Sequence, residues 1–516
     1  MELLKEMLSK EIPQFREIGH KFVNKEISVN EFKGISGGMG VYAQRGGESF
    51  MIRLRIPSGI MDVTTLKNVY EIAKSKNLET IHLTTRQAIQ LHGLSIDEVC
   101  DIMEECLSKD IYTRGGGGNF PRNVSISPLS GVDPNEEFDV TEYAMAVNHY
   151  FMDRITTYKL PRKLKVSFSS GVTDTGNSSI NDLGFMAVKE NVKEYFKLYI
   201  GGGLGKNAAK SVEFYELVEK KDVLYYVEAM VNLFIAEGNY ENKNKARTRY
   251  IVEKMGEEAF LECYKKHLSE VKESKELELD IDNKVYNKEG IEIDIKHPRL
   301  YSQKQDGLYT VYYHPINGQL SLNVLKMILE IIDVDNDIEL RLSMGEGMYI
   351  RNLNGEEAKT LLEATQGLGG ETRLEQSIAC IGVPTCQIGI AESQKMLEYI
   401  LDYFKEKNFN KDILPKIHIS GCQNSCGTHQ IGKIGFTGNK RRIDDVMYEA
   451  YEIHVGGNVE KNHTKLGEVY GDIKADDISV FLYDLATTLD NKNVSYEDFI
   501  TSQNKEFRNI IDKYLI

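Results

Sequence analysis

The feature that most restricts the fold is an internal repeat. The stretch "FMIRLRIPSGIMDVTTLKNVYEIAKSKNLETIHLTTRQAIQLHGL" (50–94) lies without gaps on "YTVYYHPINGQLSLNVLKMILEIIDVDNDIELRLSMGEGMYIRNL" (309–353), so that Gly59 meets Gly318, Leu66 meets Leu325 and Leu83 meets Leu342. Each copy reads as an alternating strand, a turn at the glycine, an amphipathic helix (Leu66, Val69, Ile72 and Ala73 in the first) and two short strands. In the first copy a second helix follows, with Ser95 as N-cap and Glu98 closing a capping box. This is a ferredoxin-like, split β-α-β pattern occurring twice.

The segments C-terminal to the two copies are also related. "LPRKLKVSFSSGVTDTGNSSINDLGFMAV" (160–188) resembles "LPKIHISGCQNSCGTHQIGKIGFTG" (414–438), and "YIGGGLG" (199–205) echoes "HVGGN" (454–458). The expected class is α+β: two ferredoxin-like halves and two further α+β halves about a pseudo-two-fold axis. The boundaries fall at 1–40 for an N-terminal extension, 41–110 and 291–365 for the ferredoxin-like halves, and 111–290 and 366–516 for the others. Within 206–290, two amphipathic helices are expected over 208–238 and 242–271, then a charged linker. A chain of 516 residues exceeds what one core supports.

The repeats differ where chemistry concentrates. Of seven cysteines, Cys380, Cys386, Cys422 and Cys426 fall within one short segment as C-x5-C and C-x3-C. The corresponding "SSGVTD" of the first half has none. Clustered cysteines without a secretory leader favour metal or catalysis over disulfides. Thiolates select zinc, iron–sulfur clusters or copper(I). Structural zinc takes four sulfurs in two pairs, but C-x5-C is wide for a knuckle. Gly382, Gly389, Gly421 and Gly427 let peptide N–H groups reach the sulfurs, which favours a cluster over zinc or unliganded thiols. Cys100, Cys106 and Cys263 sit in helix-like stretches and read as core thiols. Conversely, the first half carries Arg86, Arg122, Lys163 and Lys165 in glycine-flanked or strand contexts. Each alone reads as a solvated charge; together they suggest an anion site. Lys163 and Lys165, two apart, share one side of a strand.

In these motifs the chain resembles the siroheme-containing sulfite and nitrite reductases. The likeness runs through "TTRQAIQLHG", "RNVSISPLSG", "LPRKLKVSFSSG", "NKARTRYIVEKMG" and the cysteine segments, in family order. It implies that Cys380, Cys386, Cys422 and Cys426 ligate a [4Fe–4S] cluster and that Cys426 is shared with siroheme iron. It further implies that Arg86, Arg122, Lys163 and Lys165 bind a small oxyanion at the reduced iron. Arg53 and Arg55, alternating on "MIRLRI", are candidates for the carboxylates of siroheme; Asn424, Gln90 and His92 are further candidates for cofactor contacts. K-x-K in the strand segment marks family members tuned to sulfite, whereas assimilatory nitrite reductases carry asparagine at the second position. The resemblance therefore implies six-electron reduction of sulfite to sulfide, with nitrite reduction to ammonia as the alternative. A non-catalytic redox or tetrapyrrole-modifying relative is the alternative class. Some members carry a cysteine before the Pro-Arg of "PRNV"; Phe120 stands there, so a crosslink built on it is absent.

The remaining readings bear on partners. "GGGLGKNA" (201–208) lacks the spacing of a phosphate loop, so no nucleotide is assigned. No flavin or NADPH domain is read, and electrons are expected from an external ferredoxin or flavoprotein subunit. A net charge of −15 argues against nucleic acid. The absence of a leader or of an apolar run of about 18 residues predicts a cytoplasmic protein away from membranes.

Overall fold

A computed structural model describes residues 2–171, 173–282, 284–333, 337–460 and 463–516; Val172 of the "SSGVTD" segment lies outside them. Among the described residues the strands form four five-stranded sheets. The first contains Val41–Ala43, Phe50–Leu54, Ile89–Leu94 and Thr80–Leu83. Its repeat contains Leu300–Ser302, Leu308–Tyr313, Met348–Asn354 and Glu339–Leu342.

Neither repeat closes on its own. The glycine turn is followed not directly by a helix but by a three-residue strand, and that strand crosses to the other copy. Ile60–Asp62 pairs with Arg341–Glu339, and Gln319–Ser321 pairs with His82–Thr80. The turns themselves need left-handed backbone: Ser58 and Gly59 have φ of 52° and 71°, and Asn317 and Gly318 of 60° and 67°. A Cβ on Gly59 would stand 2.7 Å from Gln87 Cβ, which explains glycine there. Three residues carry too little periodicity to read as a strand in the sequence. The exchange also joins the cores: helices Val63–Ser75 and Leu322–Ile332 bury Leu66, Val69 and Ile72 with Leu325, Ile328 and Ile332 in one cluster.

The capping box at Ser95 and Glu98 forms as expected at the head of Ile96–Ser108. The second copy has its own helix, Gly355–Ala364, capped by Asn354 and Glu357. Cys100 and Cys106 are buried in the first of these helices, and burial pushes both thiols up to about 12.

The other two sheets share one topology. Ser125–Ile126, Val166–Ser169 and Leu183–Glu190 run parallel, then Lys193–Ile200 and Val212–Glu219 return antiparallel. The repeat runs Ile378–Ala379, Ile417–Ser420, Ile434–Ile443, Val446–Val455 and Glu468–Lys474. The helix expected over 208–238 is therefore a strand, Val212–Glu219, followed by a helix, Val223–Glu237. A register shift between Phe214 and Val218 buries residues four apart on one strand face, which imitates helical spacing. The stretch 242–271 forms two helices, Thr248–Met255 and Glu257–Ser274, broken at Gly256 with φ of 82°. Among the described residues no helix is long and apolar enough to cross a membrane.

Candidate active site

The four cysteines lie on two loops stitched together at the ends of parallel strands. Cys380 follows Ile378–Ala379 and donates its N–H to Ile419 O at 3.1 Å. The N–H groups of Ile390 and Ala391 both reach Gly421 O, at 2.9 and 3.0 Å, and clamp the C-x5-C loop to the C-x3-C loop. Gly421 N–H donates to Cys380 Sγ at 3.1 Å, Ser393 Oγ lies 3.3 Å from the same sulfur, and Asn424 Nδ2 donates to Cys422 Sγ at 3.4 Å. Burial pushes the Cys380 thiol up to about 12, helped by the neighbouring charge of Cys426, and burial also raises Cys386 and Cys422. Cys426 acts on all three, so the four sulfurs share one neighbourhood.

Such a set suits a cluster. Thiols raised by burial ionise only when iron displaces the proton, and peptide N–H groups then stabilise the anionic sulfur. Among the described residues no three His, Cys, Asp or Glu are gathered around a single ion's position. Cluster ligands need no such point, because each cysteine takes its own iron.

The cations come from the other half. Arg86, in the turn between Thr80–Leu83 and Ile89–Leu94, donates through Nε to Asn123 O at 3.0 Å and through Nη2 to Val166 O at 2.7 Å. Arg122 donates to Gly116 O at 2.9 Å and Gly118 O at 3.1 Å, leaving its buried Nε unpartnered among the described residues. Lys163 and Lys165 flank Leu164, which bridges to Pro121. Neither ammonium has a hydrogen-bond or ion-pair partner among the described residues. Burial, then crowding by like charges, lowers these cations. Arg86 falls to about 9, Arg122 to about 10 and Lys163 to about 7, while Lys165 drops well below the usual lysine range. Each neutral lysine has room for a proton if negative charge arrives.

Residues not singled out in the sequence complete this side. Asp182 accepts from Arg247 Nε at 3.1 Å and Nη2 at 2.8 Å, and from the Lys165 N–H at 2.8 Å. Arg249 is held by Asn207 O and Lys206 O, both at 2.8 Å, with Nη1 buried and unpartnered among the described residues. A Cβ on Gly203 would stand 2.9 Å from Arg247 and 3.0 Å from Arg249, so the glycine-rich loop at 201–205 admits two guanidiniums. The signal was the "RTR" spacing, hidden because the segment reads as a helix whereas the helix starts only at Thr248.

The two sides meet. Thr85, beside Arg86, donates from Oγ1 to Cys426 O at 2.8 Å. The charge of Cys426 acts on Lys163. Gln430 Nε2 donates to Gly205 O at 3.1 Å, and Arg45 donates to Gly389 O at 2.7 Å and to Thr385 O at 3.0 Å.

Arg53 and Arg55 fall on the glycine-rich loop "GGGG" at 115–118. Arg53 donates to Gly116 O at 2.7 Å, and buried Arg55 to Pro121 O at 2.9 Å and Gly115 O at 3.3 Å. Both guanidiniums therefore brace the backbone, and only their remaining N–H groups and charge can serve a carboxylate. Gln90, with its amide oriented to accept from Arg53 Nε at 3.0 Å, donates to His92 Nε2 at 3.1 Å and His82 Nδ1 at 3.2 Å. Burial holds His82 near 4 and His92 near 3, so both rings are neutral acceptors.

Comparison with known proteins agrees with this geometry. A family model described as the nitrite and sulphite reductase 4Fe-4S domain matches residues 117–272, and one described as the nitrite/sulfite reductase ferredoxin-like half domain matches 42–109 and 301–368. The chain belongs to the nitrite and sulfite reductase family. It is 25% identical to the assimilatory ferredoxin-dependent nitrite reductase of Haloferax mediterranei, over 85% of this chain and 79% of the relative. It is 26% identical to the chloroplastic ferredoxin–nitrite reductase of Spinacia oleracea, over 82% and 72% of the two chains. It is 25% identical to the ferredoxin sulfite reductase of Mycobacterium tuberculosis, over 80% and 74%. The Mycobacterium tuberculosis NirA protein shares the fold, with a TM-score of 0.74 over 93% of this chain and 92% of that one at 22% identity. The chain is thus an oxidoreductase of the siroheme type, with siroheme and a [4Fe–4S] cluster as cofactors. The gathered thiols, the unpartnered Arg122 and Arg249 nitrogens and the glycine loops fit those two groups.

Proposed function

We propose that this reductase acts on sulfite, converting it to sulfide with six electrons from a ferredoxin or flavoprotein donor. Bound siroheme and its cluster supply an electron-rich iron and a store of electrons. Cys380, Cys386, Cys422 and Cys426 hold the cluster, with Cys426 nearest the substrate cations. Arg53, Arg55 and Gln90 shape the glycine loop against the tetrapyrrole, and Arg247 and Arg249 offer charge to its carboxylates.

Arg86, Arg122, Lys163 and Lys165 receive the oxyanion. Binding an anion to an electron-rich centre is opposed by Coulomb repulsion, and desolvated cations offset that repulsion best. The observation that carries the reading is Lys165, half-buried beside Arg86 and Lys163, whose ammonium has no hydrogen-bonded or ion-paired carboxylate among the described residues and feels the Asp182 charge only from further off. An arriving dianion draws protons onto Lys163 and Lys165, which stand ready to return them as each oxygen leaves as water. Binding is therefore favoured below about pH 7, the position of Lys163, and weakens as pH rises above it. The KM for sulfite, followed from pH 6.5 to 9, should rise.

Nitrite is the second reading, favoured by the nitrite reductases among the relatives. Lys165→Asn separates the two. Removing the second lysine should lower kcat/KM for sulfite by about 10- to 100-fold and change that for nitrite far less. Equal losses for both anions contradict the sulfite assignment.

A further inference from the structure

Tyr42 stands at the cation site, its phenol oxygen accepting a hydrogen bond and donating none among the described residues. It lies on the strand Val41–Ala43, opposite Met51. Its oxygen accepts the Gly118 N–H at 2.9 Å, within the loop whose carbonyls hold Arg122 and Arg53. A Cβ on Gly117 would stand 2.5 Å from the same oxygen, so the loop is built around it. The charged groups that face the phenol are Arg122, Arg53 and Arg162, and guanidiniums accept no hydrogen bond. Among the described residues nothing accepts the phenolic hydrogen, which leaves it free for a molecule bound at Arg122.

The repeat provides an internal control. The position 259 residues on is Tyr301, on the matching strand opposite Thr310. There the neighbours are the rings of Tyr349, at 5.8 Å, and Tyr312. Burial raises Tyr301, whereas the guanidiniums outweigh burial and lower Tyr42. The same residue in the same backbone setting is raised by burial in one half and lowered by guanidiniums in the other.

We propose that Tyr42 is a further catalytic residue, donating a hydrogen bond and then a proton to an oxygen of the anion held by Arg122. This rests on the oxyanion-reductase reading above and holds for sulfite or nitrite. In the step, the Tyr42 O–H bond breaks and an O–H bond forms on the departing oxygen. The phenolate left behind is stabilised by the Gly118 N–H and the guanidiniums, and solvent returns its proton. Electrons come from the external donor and none from tyrosine.

The test is Tyr42→Phe, purified anaerobically and normalised to siroheme and acid-labile sulfide. We expect kcat to fall about 10- to 100-fold for whichever anion the wild type reduces, with KM changed less than about 3-fold, as for loss of a general acid. The alkaline limb of the kcat profile should also move. In a second preparation, 3-fluorotyrosine throughout the chain, which makes phenols more acidic, should shift that limb to lower pH in wild type but not in Tyr42→Phe. Unchanged kcat at full cofactor content overturns the proposal, as does a 3-fluorotyrosine shift that persists in Tyr42→Phe. If the wild type reduces neither anion, the reductase reading fails first, and a normal wild type with an unaffected variant fails Tyr42 alone.

Discussion

The loop after Val166–Ser169 and the loop after Ile417–Ser420 are built alike and used differently. Each residue of the first has a counterpart 251 positions on. Gly176 and Gly427 sit where a side chain would strike the carbonyls of Phe168 and Ile419. Asn177 and Thr428 both take left-handed backbone, with φ of 59° and 56°. Gly421 N–H donates to Cys380 Sγ at 3.1 Å, and Ser170 N–H donates to Ser127 Oγ at the same distance. Thr175, in the place of Cys426, closes the first loop by donating to Ser127 at 2.7 Å. Asp174 accepts from Ser178 N at 2.6 Å and Ser179 N at 2.9 Å. The polar loop satisfies itself, whereas the thiol loop has sulfurs to offer. A shared backbone thus sets where a ligand can sit, and the side chains decide whether one does.

The ferredoxin-like halves repeat the lesson. Arg53 and Gln90 correspond to Tyr312 and Tyr349, whose rings pack at 4.5 Å, and Arg55 corresponds to buried His314. One half presents charge to its glycine loop, and the other fills the equivalent space with aromatic rings.

The comparison breaks most visibly at the cysteines. Cys380→Ser gives the second loop the first loop's residue while keeping its hydrogen bonds. Acid-labile sulfide should disappear and activity fall by more than about 100-fold, beyond what loss of an outer-shell contact costs. Retained sulfide would show that the two loops differ less than their residues imply.

Asp174→Ala probes the self-satisfied loop. Removing the acceptor strands buried donors and should cost about 3 kcal/mol in denaturant unfolding while leaving siroheme and sulfide content per folded chain unchanged. Loss of cofactor without loss of stability would give this loop a binding role instead.

A pH effect sharpens the contrast between His82 and His92 and their counterparts Arg341 and Arg351. Burial depresses both histidines, to about 4 and about 3. Their neutral forms are favoured in the fold, so their contribution is whole above about pH 6.5 and is lost as pH falls towards those values, at about 1.4 kcal/mol per unit for each. Denaturant midpoints of cofactor-stripped protein should fall from pH 7 to 5, and His82→Gln with His92→Gln should flatten that slope.

Much of this was legible in the sequence because the repeat could be laid on itself without gaps. Gly59 with Gly318 located the turns, and spacing and resemblance offered the cysteines and the Arg86, Arg122, Lys163 and Lys165 set as candidates, whose roles remain proposals. The exchanged strands could not be read, since Ile60–Asp62 and Gln319–Ser321 are too short to show a period and pair across hundreds of residues. Val212–Glu219 imitates a helix in the sequence because a bulge places Phe214 and Val218 at a helix-like interval. Arg247, Arg249 and Asp182 became visible only when the fold brought strand, loop and helix start together, and Tyr42 only when its neighbours proved to be donors.

The central claim is that one half holds a cluster against the other half's cations while the second, equivalent site is closed. Iron, acid-labile sulfide and siroheme per chain in anaerobically purified protein test it directly. The account predicts about five irons, about four sulfides and one siroheme, as for one [4Fe–4S] cluster and one tetrapyrrole iron. Twice those amounts, or zinc without sulfide, would contradict it.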